Sequence, residues 1–510
     1  MTGKFYVTTA IVYANAQPHI GFAYEVIGTD VLARYQRSLG RTVFFLSGMD
    51  EHSVNVERRA VSLKKTPQEY CDEMADSYRS VFARLKISND GFIRTTSQEH
   101  HRAAREIVEA ISRKGDIYPG QYRGWYCTSC ETFLQQKDLV GNRCPVHKTE
   151  PEWVEEKNYF FALSKYRDRV LRHIEENPGF IEPEIRKNEV VNILKSGLND
   201  ISISRSSGWG IPFPLDGKQV VYVWFDALIN YLSGVGYAGD KEKFEKFWPA
   251  DVHVIGKDIT RFHCIIWPAI LMSVGLPLPG KIFGHGFVNI SGTKISKTAG
   301  NIVDPVALEE KYGVDALRYF LMREIPFGAD GDYSEEIFVN RFNADLANDL
   351  GNLLSRVMKM AEMYCQSQVP ASAGKPDKPA DDLCKAGAGI FQTYDKAMAE
   401  LRFNEALVMT WGFINRVNVY VDHSAPWSLA KSGRKEELDS VIYNCLESLR
   451  IIALLIRPFM PETSDEIESQ IGWKEYGRSF KERQTSWGLL KPGLKIKKGR
   501  LLFPRIEGGR

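Results

Sequence analysis

The strongest constraint on the fold is an alternation of buried strand and helix patterns at the amino-terminal end. Residues 4–12 (KFYVTTAIV) are apolar and β-branched, which predicts a strand buried on both faces. A break at residues 15–18 precedes residues 19–38, where apolar side chains recur at helical spacing. A second buried strand is predicted at Thr42–Ser47. Buried strands separated by a helix are typical of a parallel sheet, so the pattern predicts an α/β core.

This alternation of strands and helices is interrupted once and then resumes. Thr66–Glu69 and Thr96–Glu99 have the capping patterns of helix starts. Residues 115–222 hold many aromatic residues and short strand-like runs such as Ile201–Arg205, which predicts an inserted domain. Beyond about residue 340 the pattern is helical almost throughout. Further strands of the α/β core are predicted at Val220–Phe225, Val252–Ile255 and Lys281–Phe287.

Length and composition exclude several classes of protein. A chain of 510 residues suggests about three domains. Its 66 Lys+Arg against 64 Asp+Glu and its 44% hydrophobic residues exclude a disordered, collagen-like or generally basic chromatin-type chain. No run of 18 apolar residues occurs, so no membrane span is predicted. The first residues do not have the pattern of a secretory signal or a transit segment, so we expect a cytoplasmic protein.

Three of the eight cysteines lie in a pattern typical of a metal site. Cys127 and Cys130 form one ligand pair, and Cys144 and His147 form a second pair after 13 residues. Each short pair lets a tight turn present two ligands to one tetrahedral ion. Three thiolates and one imidazole leave no position for water, so the pattern predicts structural zinc rather than a catalytic metal. The alternative is that the spacing is coincidental. Whether His147 is the fourth ligand stays open.

Two short motifs have the chemistry of phosphate binding. The turn PHIGF places His19 and Gly21 at the start of a helix, where free N–H groups and the helix dipole favour an anion. The loop GTKISKTAGN holds Lys294 and Lys297 among small residues, and such a cationic loop can close on a polyphosphate. Each motif alone is also compatible with a structural turn or with a solvated lysine pair.

Together the two motifs resemble the two signatures of class I aminoacyl-tRNA synthetases. The chain resembles the methionyl enzymes of that class from about Tyr6 to Glu507. The resemblance is carried by the cysteine knuckle and by TTAIVYAN at 8–15, DEH at 50–52, VYVWFDALINYL at 221–232, IGKDITRFHCIIWPAIL at 255–271 and PWSLAK at 426–431.

This resemblance implies a fold and a domain order. The expected fold class is α/β, with a Rossmann-like parallel-sheet catalytic core that contains a zinc-bearing insert, followed by an all-α helical-bundle anticodon-binding domain. The expected boundaries are 1–114 for the first half of the core, 115–222 for the insert, 223–285 for the second half, 286–345 for the lysine-loop and stem-contact region, and 346–510 for the helical domain.

The resemblance also implies the reaction of a methionine–tRNA ligase. Such an enzyme activates L-methionine with ATP and Mg²⁺ to methionyl-adenylate and pyrophosphate. It then transfers methionine to the 3′ end of tRNA(Met), including the initiator tRNA, for protein synthesis. The implied catalytic residues are His19, Lys294 and Lys297. The implied nucleotide-binding residues are Gly21, Gly256, Asp258 and Lys297.

Binding sites for methionine and for the anticodon are implied in the same way. A carboxylate such as that of Asp50 suits an ammonium group, and aromatic rings suit a thioether. Single-stranded bases are read by stacking and by hydrogen bonds to their edges. The implied methionine-binding residues are Ala10, Ile11, Tyr13, Asp50, Trp224, Ala227, Leu228, Tyr231, Ile259, His263 and Trp267. The implied anticodon residues are Asn352, Arg356 and Trp427, although a buried tryptophan at a helix start is the alternative for Trp427.

The chain departs from the family pattern at three positions. Phe22 stands where a second signature histidine is usual, and Ile295 and Thr298 replace Met and Ser of the lysine loop. Phe22 removes a polar donor, which leaves open slower activation, a compensating donor or a non-acylating tRNA-binding paralogue. No carboxy-terminal dimerisation domain follows in this sequence, so we expect a monomer.

Overall fold

The computed structural model describes residues 3–15, 17–128, 131–134, 136–145, 148–290, 292–294, 302–372, 377–473 and 486–507. A parallel sheet of seven strands forms its core, in the order β2 (Val12–Tyr13), β3 (Thr42–Asp50), β1 (Lys4–Thr9), β13 (Val252–Gly256), β14 (Ile282–His285), β8 (Ile181–Glu182). The seventh strand, β4 (Gly91–Arg94), also pairs with β3. The predicted α/β fold class is therefore confirmed. None of the described helices is long and apolar enough to cross a membrane.

The amino-terminal half of the core alternates strands and helices as predicted. The first predicted strand ends at Thr9, and Val12 and Tyr13 form a separate short strand. The first helix begins directly after His19. The capping box predicted at Thr66 and Glu69 is present. The elements are β1 (Lys4–Thr9), β2 (Val12–Tyr13), α1 (Ile20–Ser38), β3 (Thr42–Asp50), α2 (Val54–Ser62), α3 (Pro67–Arg84), β4 (Gly91–Arg94) and α4 (Gln98–Arg113).

The next stretch leaves the parallel sheet and forms antiparallel ribbons. Two long strands, β5 (Ile117–Cys127) and β7 (Glu152–Phe161), pair side by side. The short strands β6 (Thr132–Leu134) and β9 (Ile201–Ser202) complete a sheet of four strands. One short strand, β8, returns to the edge of the parallel sheet. The elements are β5 (Ile117–Cys127), β6 (Thr132–Leu134), β7 (Glu152–Phe161), α5 (Arg167–Glu176), β8 (Ile181–Glu182), α6 (Glu184–Ser196), β9 (Ile201–Ser202), β10 (Ser204–Arg205), β11 (Pro212–Phe213) and β12 (Asp216–Val221).

The second half of the core corrects one strand prediction. Val220–Phe225 is not a strand of the parallel sheet: its first two residues end β12 of a small antiparallel sheet, and a helix begins at Val223. A short apolar run does not distinguish a buried strand from a buried helix, and four of the six residues of this run are buried. The elements are α7 (Val223–Leu228), α8 (Asn230–Ser233), α9 (Lys241–Phe247), β13 (Val252–Gly256), α10 (Trp267–Val274), β14 (Ile282–His285), β15 (Val288–Ile290), β16 (Thr293–Lys294), α11 (Pro305–Tyr312), α12 (Val314–Glu324) and β17 (Gly331–Tyr333).

A helical bundle completes the described chain, as predicted from its helical pattern. A π-helical segment, Phe342–Gly351, joins its first two helices. The helices are α13 (Glu335–Arg341), α14 (Asn352–Tyr364), α15 (Lys378–Ala399), α16 (Phe403–Ser424), α17 (Pro426–Lys431), α18 (Lys435–Ile456) and α19 (Pro461–Gln470).

A buried arginine joins the bundle to the core. The guanidinium of Arg318, which has no exposed surface, donates to the Asp30 carboxylate on α1 at 2.7 Å. It also donates to the carbonyls of Leu85, Pro458 and Phe459 at 2.8–3.0 Å. Removing one partner of such a buried pair is strongly destabilising, by about 3–5 kcal/mol, because the other charge stays buried. The helix that starts beside His19 is thus fixed to the bundle.

Candidate active site

The predicted phosphate-binding turn lies at the amino-terminal end of α1. The Nδ1 atom of His19 accepts the backbone N–H groups of Gly21 at 3.1 Å and Phe22 at 3.3 Å. A ring nitrogen that accepts leaves the proton on Nε2, so Nε2–H is the donor that His19 can offer to a phosphate. The Ile20 N–H donates to the carbonyl of Val303 at 3.0 Å, which brings the chain back to this turn directly after the lysine loop.

The predicted ribose residues lie at the carboxyl end of β13. A Cβ on Gly256 would stand 2.7 Å from Oδ1 of Asp258 and 3.9 Å from Nε2 of His285, so a side chain there would clash with Asp258. Asp258 is exposed at this edge and can accept from two vicinal hydroxyls. Both ring nitrogens of His285 face acceptors at 2.7 Å, the carboxylate of Glu25 and a carbonyl, so the ring is protonated. Burial opposes this charge, but Glu25 outweighs it and raises the pKa of His285.

Only part of the lysine loop is described. The backbone of Lys294 pairs with Asn289 across β15 and β16, and β15 begins three residues after the end of β14. The Gly292 N–H donates to the carboxylate of Asp332 at 2.8 Å. Lys297 lies outside the described residues.

A buried carboxylate ends β3 at the predicted ammonium end of the methionine site. Oδ1 of Asp50, the hydroxyl of Tyr13 and Nε1 of Trp224 are buried without a hydrogen-bond partner among the described residues. The rings of Tyr13 and Trp224 meet edge to face at 5.7 Å. Burial and the nearby charges of Asp226 and Glu131 raise the pKa of Asp50. Buried polar atoms are normally paired, so these three indicate a ligand with polar and cationic groups.

A second set of predicted residues is already hydrogen-bonded. The Tyr231 hydroxyl and Nε2 of His263 lie 2.7 Å apart, and Nδ1 of His263 lies 3.1 Å from the carbonyl of Ile259. Burial lowers the pKa of His263 to about 4, so the ring is neutral at pH 7. Nδ1–H then donates to Ile259, and Nε2 accepts from the tyrosine. Trp267 has no exposed surface and packs against Tyr231 at 5.8 Å, so it supports that ring from behind.

The remaining predicted methionine residues lie on the elements that carry these groups. Ala10 and Ile11 directly follow β1, and the Ala10 N–H donates to Val254 on β13 at 3.1 Å. Ala227 and Leu228 lie one turn after Trp224 on α7 and are buried.

Three neighbours of this site were not predicted. Phe262 stacks on Trp224 with ring centroids 3.8 Å apart, and the indole N–H of Trp209 donates to the Glu51 carbonyl at 2.6 Å. Asp226 has no exposed surface and lies on α7 between predicted residues. A signal for Asp226 was present, because it is the one charged residue in the apolar motif VYVWFDALINYL.

Phe22 belongs to the core between α1 and α3. Its ring meets Tyr78 edge to face at 5.0 Å and stacks on Phe82 at 5.6 Å. Only 9% of its surface is exposed. The position therefore contributes packing and no polar donor.

Two of the four predicted zinc ligands lie in one small cluster. Cys127 and Cys144 are both 1% exposed and pack with Leu134. The Cys144 N–H donates to the carbonyl of Thr149 at 2.9 Å, and Sγ of Cys127 lies 3.6 Å from the Thr149 hydroxyl. Cys130 and His147 lie outside the described residues, and no group of three or more metal-binding side chains occurs within the described part of the chain.

The predicted anticodon residues lie at one end of the bundle. Asn352 is the first residue of α14 and is exposed, and Arg356 follows one turn later. The Arg356 guanidinium donates to Asp422 near the end of α16 at 2.5 Å. After a left-handed residue at Ala425, Trp427 lies in the first turn of α17 and is 44% exposed. It is therefore not a buried helix-start tryptophan.

Family models match nearly the whole chain. The model described as tRNA synthetases class I (M) matches residues 5–150 and 134–358. The model described as the anticodon binding domain of methionyl tRNA ligase matches residues 369–509.

Similar proteins cover the same span. The methionine–tRNA ligase of Thermotoga maritima is 47% identical over 99% of this chain and 80% of its own length, and that of a Nostoc species is 44% identical over 99% and 97%. Mycobacterium tuberculosis methionyl-tRNA synthetase in complex with methionyl-adenylate superposes with a TM-score of 0.95 at 42% identity, over 99% of this chain and all of that one. The chain belongs to the methionyl-tRNA synthetase family of class I aminoacyl-tRNA synthetases.

Proposed function

We propose that this chain activates L-methionine with ATP and then transfers the methionyl group to the 3′ end of tRNA(Met). The observation that carries the proposal is the buried Asp50 carboxylate, whose Oδ1 has no partner among the described residues. Asp50 pairs across β3 and β2 with Tyr13, whose ring contacts Trp224. An amino acid ammonium group suits that oxygen, and an apolar side chain suits the rings. The Mycobacterium tuberculosis relative is described in complex with methionyl-adenylate.

Activation needs positioning and charge neutralisation rather than acid–base chemistry. A methionine carboxylate oxygen attacks the α-phosphorus of ATP, the bond from that phosphorus to the bridging oxygen breaks, and pyrophosphate leaves. We assign Nε2–H of His19 and the lysines 294 and 297 to the phosphates, where donors preorganised for developing charge act most strongly. Asp258 would accept from the ribose hydroxyls beside Gly21 and Gly256. Mg²⁺ bound to ATP would neutralise further phosphate charge.

Transfer then needs the tRNA 3′ end at the same carbonyl. A terminal ribose hydroxyl attacks the methionyl carbonyl, and AMP leaves with the electron pair of the broken C–O bond. The anticodon end would be read by Asn352, Arg356 and Trp427. The exposed indole supplies a stacking face, and the amide and guanidinium supply hydrogen-bond donors. The salt bridge from Arg356 to Asp422 fixes the guanidinium to the last turn of α16, five residues before Trp427 in the chain.

Recognition of the methionine side chain would use neutral groups. Since His263 is neutral, the sulfur would meet no charge there. The Tyr13 hydroxyl, unpaired among the described residues, is a donor that suits a thioether, which accepts only weakly. Sulfur–aromatic contacts add about 0.3–1.5 kcal/mol each.

We also propose a structural zinc ion held by Cys127, Cys130, Cys144 and His147. The fit is supported by two described thiols, which are buried in one cluster at the end of β5. Zinc would stabilise the loop between β5 and β7. Cytoplasmic location and a monomeric state remain predictions, and sedimentation analysis tests the second.

Methionine-dependent ATP–pyrophosphate exchange tests the activation step. We expect exchange with methionine and none with isoleucine or leucine. Lys297→Ala should cut exchange by at least tenfold and leave tRNA binding nearly unchanged. No exchange with intact tRNA binding would contradict the proposal and favour a non-acylating tRNA-binding paralogue.

A further inference from the structure

A buried carboxylate and two imidazoles form a hydrogen-bonded cluster beside the candidate methionine site. Oδ2 of Asp226 lies 2.7 Å from Nδ1 of His52, and Oδ1 lies 2.7 Å from Nε2 of His100. Nδ1 of His100 lies 2.8 Å from the hydroxyl of Ser233. All four residues are buried, and Asp226 and His100 have no exposed surface. The function proposed above uses none of them.

The cluster connects to Asp50 through one residue. His52 lies two residues after Asp50, whose Oδ1 has no hydrogen-bond partner among the described residues, so the segment that holds this histidine also carries the carboxylate of the site. Asp226 fixes the ring of the same histidine. The intervening Glu51 is also held, because its carboxylate accepts from Arg94 at 2.7 Å. Asp226 is thus linked to the carboxylate that would bind the ammonium group by one hydrogen bond to His52 and by the chain from His52 to Asp50.

Asp226 itself lies on the helix that forms the opposite wall of the site. Asp226 lies on α7, two residues after Trp224 and directly before Ala227, and its N–H donates to the Tyr222 carbonyl at 3.0 Å. Ser233, at the far end of the cluster, ends α8, which carries Tyr231. One side chain therefore joins the ammonium end of the site to the helices that carry its aromatic wall.

Both oxygens of Asp226 are occupied by imidazoles, which argues for a positioning role rather than direct binding. Burial alone would raise the pKa of Asp226, but His100 and His52 lower it well below its usual range, so the group is ionised. A third imidazole, His101, has its ring centroid 5.3 Å from that of His52, and burial lowers its pKa to about 4. The Asp226 carboxylate is therefore held on both oxygens, and its charge lies near enough to raise the pKa of Asp50.

We propose that Asp226 is a positioning residue for methionine, which holds Asp50 through His52 and fixes this carboxylate relative to the aromatic wall on α7. The inference rests on the proposed function. A misplacement of about 1 Å at a reacting site can cost about a hundredfold in rate, so loss of this constraint should be measurable.

Asp226→Asn is the direct test, since it keeps the size of the side chain and removes the second strong acceptor. Methionine-dependent exchange is measured with methionine and ATP varied in turn. We expect the methionine KM to rise at least tenfold, while the ATP KM stays within twofold. Asp315→Asn is the matched control, because Asp315 is also buried but binds Thr463 between α12 and α19. It should leave both KM values unchanged.

The outcomes separate the inference from the function on which it rests. Absence of methionine-dependent exchange in the unmodified chain refutes the proposed function. Exchange in the unmodified chain together with an unchanged methionine KM in Asp226→Asn refutes the inference, as does an equal rise of both KM values. If Asp226→Asn does not fold, His100→Gln replaces it: a methionine KM raised at least threefold with an unchanged ATP KM supports the inference, and an unchanged methionine KM refutes it.

Discussion

Replacing Asp50, the proposed ammonium-binding carboxylate, should weaken methionine binding and stabilise the fold at the same time. Asp50→Asn keeps the shape of the side chain and removes its charge. Asp50 is 2% exposed, and its Oδ1 has no partner among the described residues. The carboxylate therefore contributes little to the stability of the chain without bound methionine, and its free oxygen can bind a cationic ligand.

The size of the binding effect follows from that unpaired oxygen. A hydrogen bond to a charged group contributes about 1.5–3 kcal/mol. At about 1.4 kcal/mol for each factor of ten, the methionine KM of Asp50→Asn should rise by about tenfold to a hundredfold. The ATP KM should change by less than about twofold, because the proposed phosphate residue His19 and the proposed ribose residue Asp258 lie at the start of α1 and after β13, away from β3.

The raised pKa of Asp50 determines whether Asp50→Asn stabilises or destabilises the fold. Since the pKa is higher in the folded chain than in the unfolded one, ionisation at neutral pH opposes folding. Asp50→Asn removes this penalty, so we expect a higher free energy of unfolding at pH 7. The gain should disappear as the pH falls below the ordinary aspartate pKa of about 3.9, where both states are protonated. In the unmodified chain, methionine binding should weaken on acidification at a higher pH than an ordinary carboxylate would give.

Pyrophosphate exchange gives both KM values, and urea denaturation at pH 7 and at acidic pH gives the stability. An unchanged methionine KM in Asp50→Asn would refute the assignment of the ammonium site. A lower free energy of unfolding at pH 7 would show that Asp50 has a structural partner and would refute the assigned role of its free oxygen.

Three further predictions test other parts of the molecule. Trp427→Ala should raise the tRNA KM of aminoacylation at least tenfold and leave exchange unchanged. Because the ring is 44% exposed, the free energy of unfolding should fall by less than the ~3–5 kcal/mol that a core tryptophan would cost. Phe22→His should lower the free energy of unfolding by about 2–4 kcal/mol in urea denaturation, since it weakens two aromatic contacts and buries a polar ring; unchanged stability would contradict the packing role. Plasma emission analysis should find one zinc per chain, and Cys144→Ser should lose it, whereas zinc retained by that variant would contradict the ligand set.

Periodicity predicted the core elements that bury one continuous apolar surface. The strand from Lys4 and the helix after His19 are present, since burial on both faces of the strand and a capped helix start leave few alternatives. The run Val220–Phe225 was misread, because strand and helix bury such a run equally well. Tertiary packing decides between them: the run turns into α7, which places Trp224 beside Tyr13.

The chemistry of the site was only partly accessible from the sequence. The family motifs named Asp50, His263 and Tyr231, but their protonation and hydrogen bonds depend on burial, which spacing does not show. The link from His52 through Asp226 to His100 joins three segments far apart in the chain. Local patterns do not report such contacts. The Phe22 departure suggested a lost polar group, and the structure adds that the ring is a core residue with two aromatic neighbours.

The central claim is that one chain both forms methionyl-adenylate and charges tRNA. Aminoacylation by the purified chain, with radiolabelled methionine, ATP and Mg²⁺, tests it most directly when a tRNA with a CAU anticodon is compared with the same tRNA carrying a different anticodon. We predict label at the 3′ end of the CAU tRNA and at least a hundredfold less on the altered one. Binding of the CAU tRNA without transfer of methionine would contradict the account.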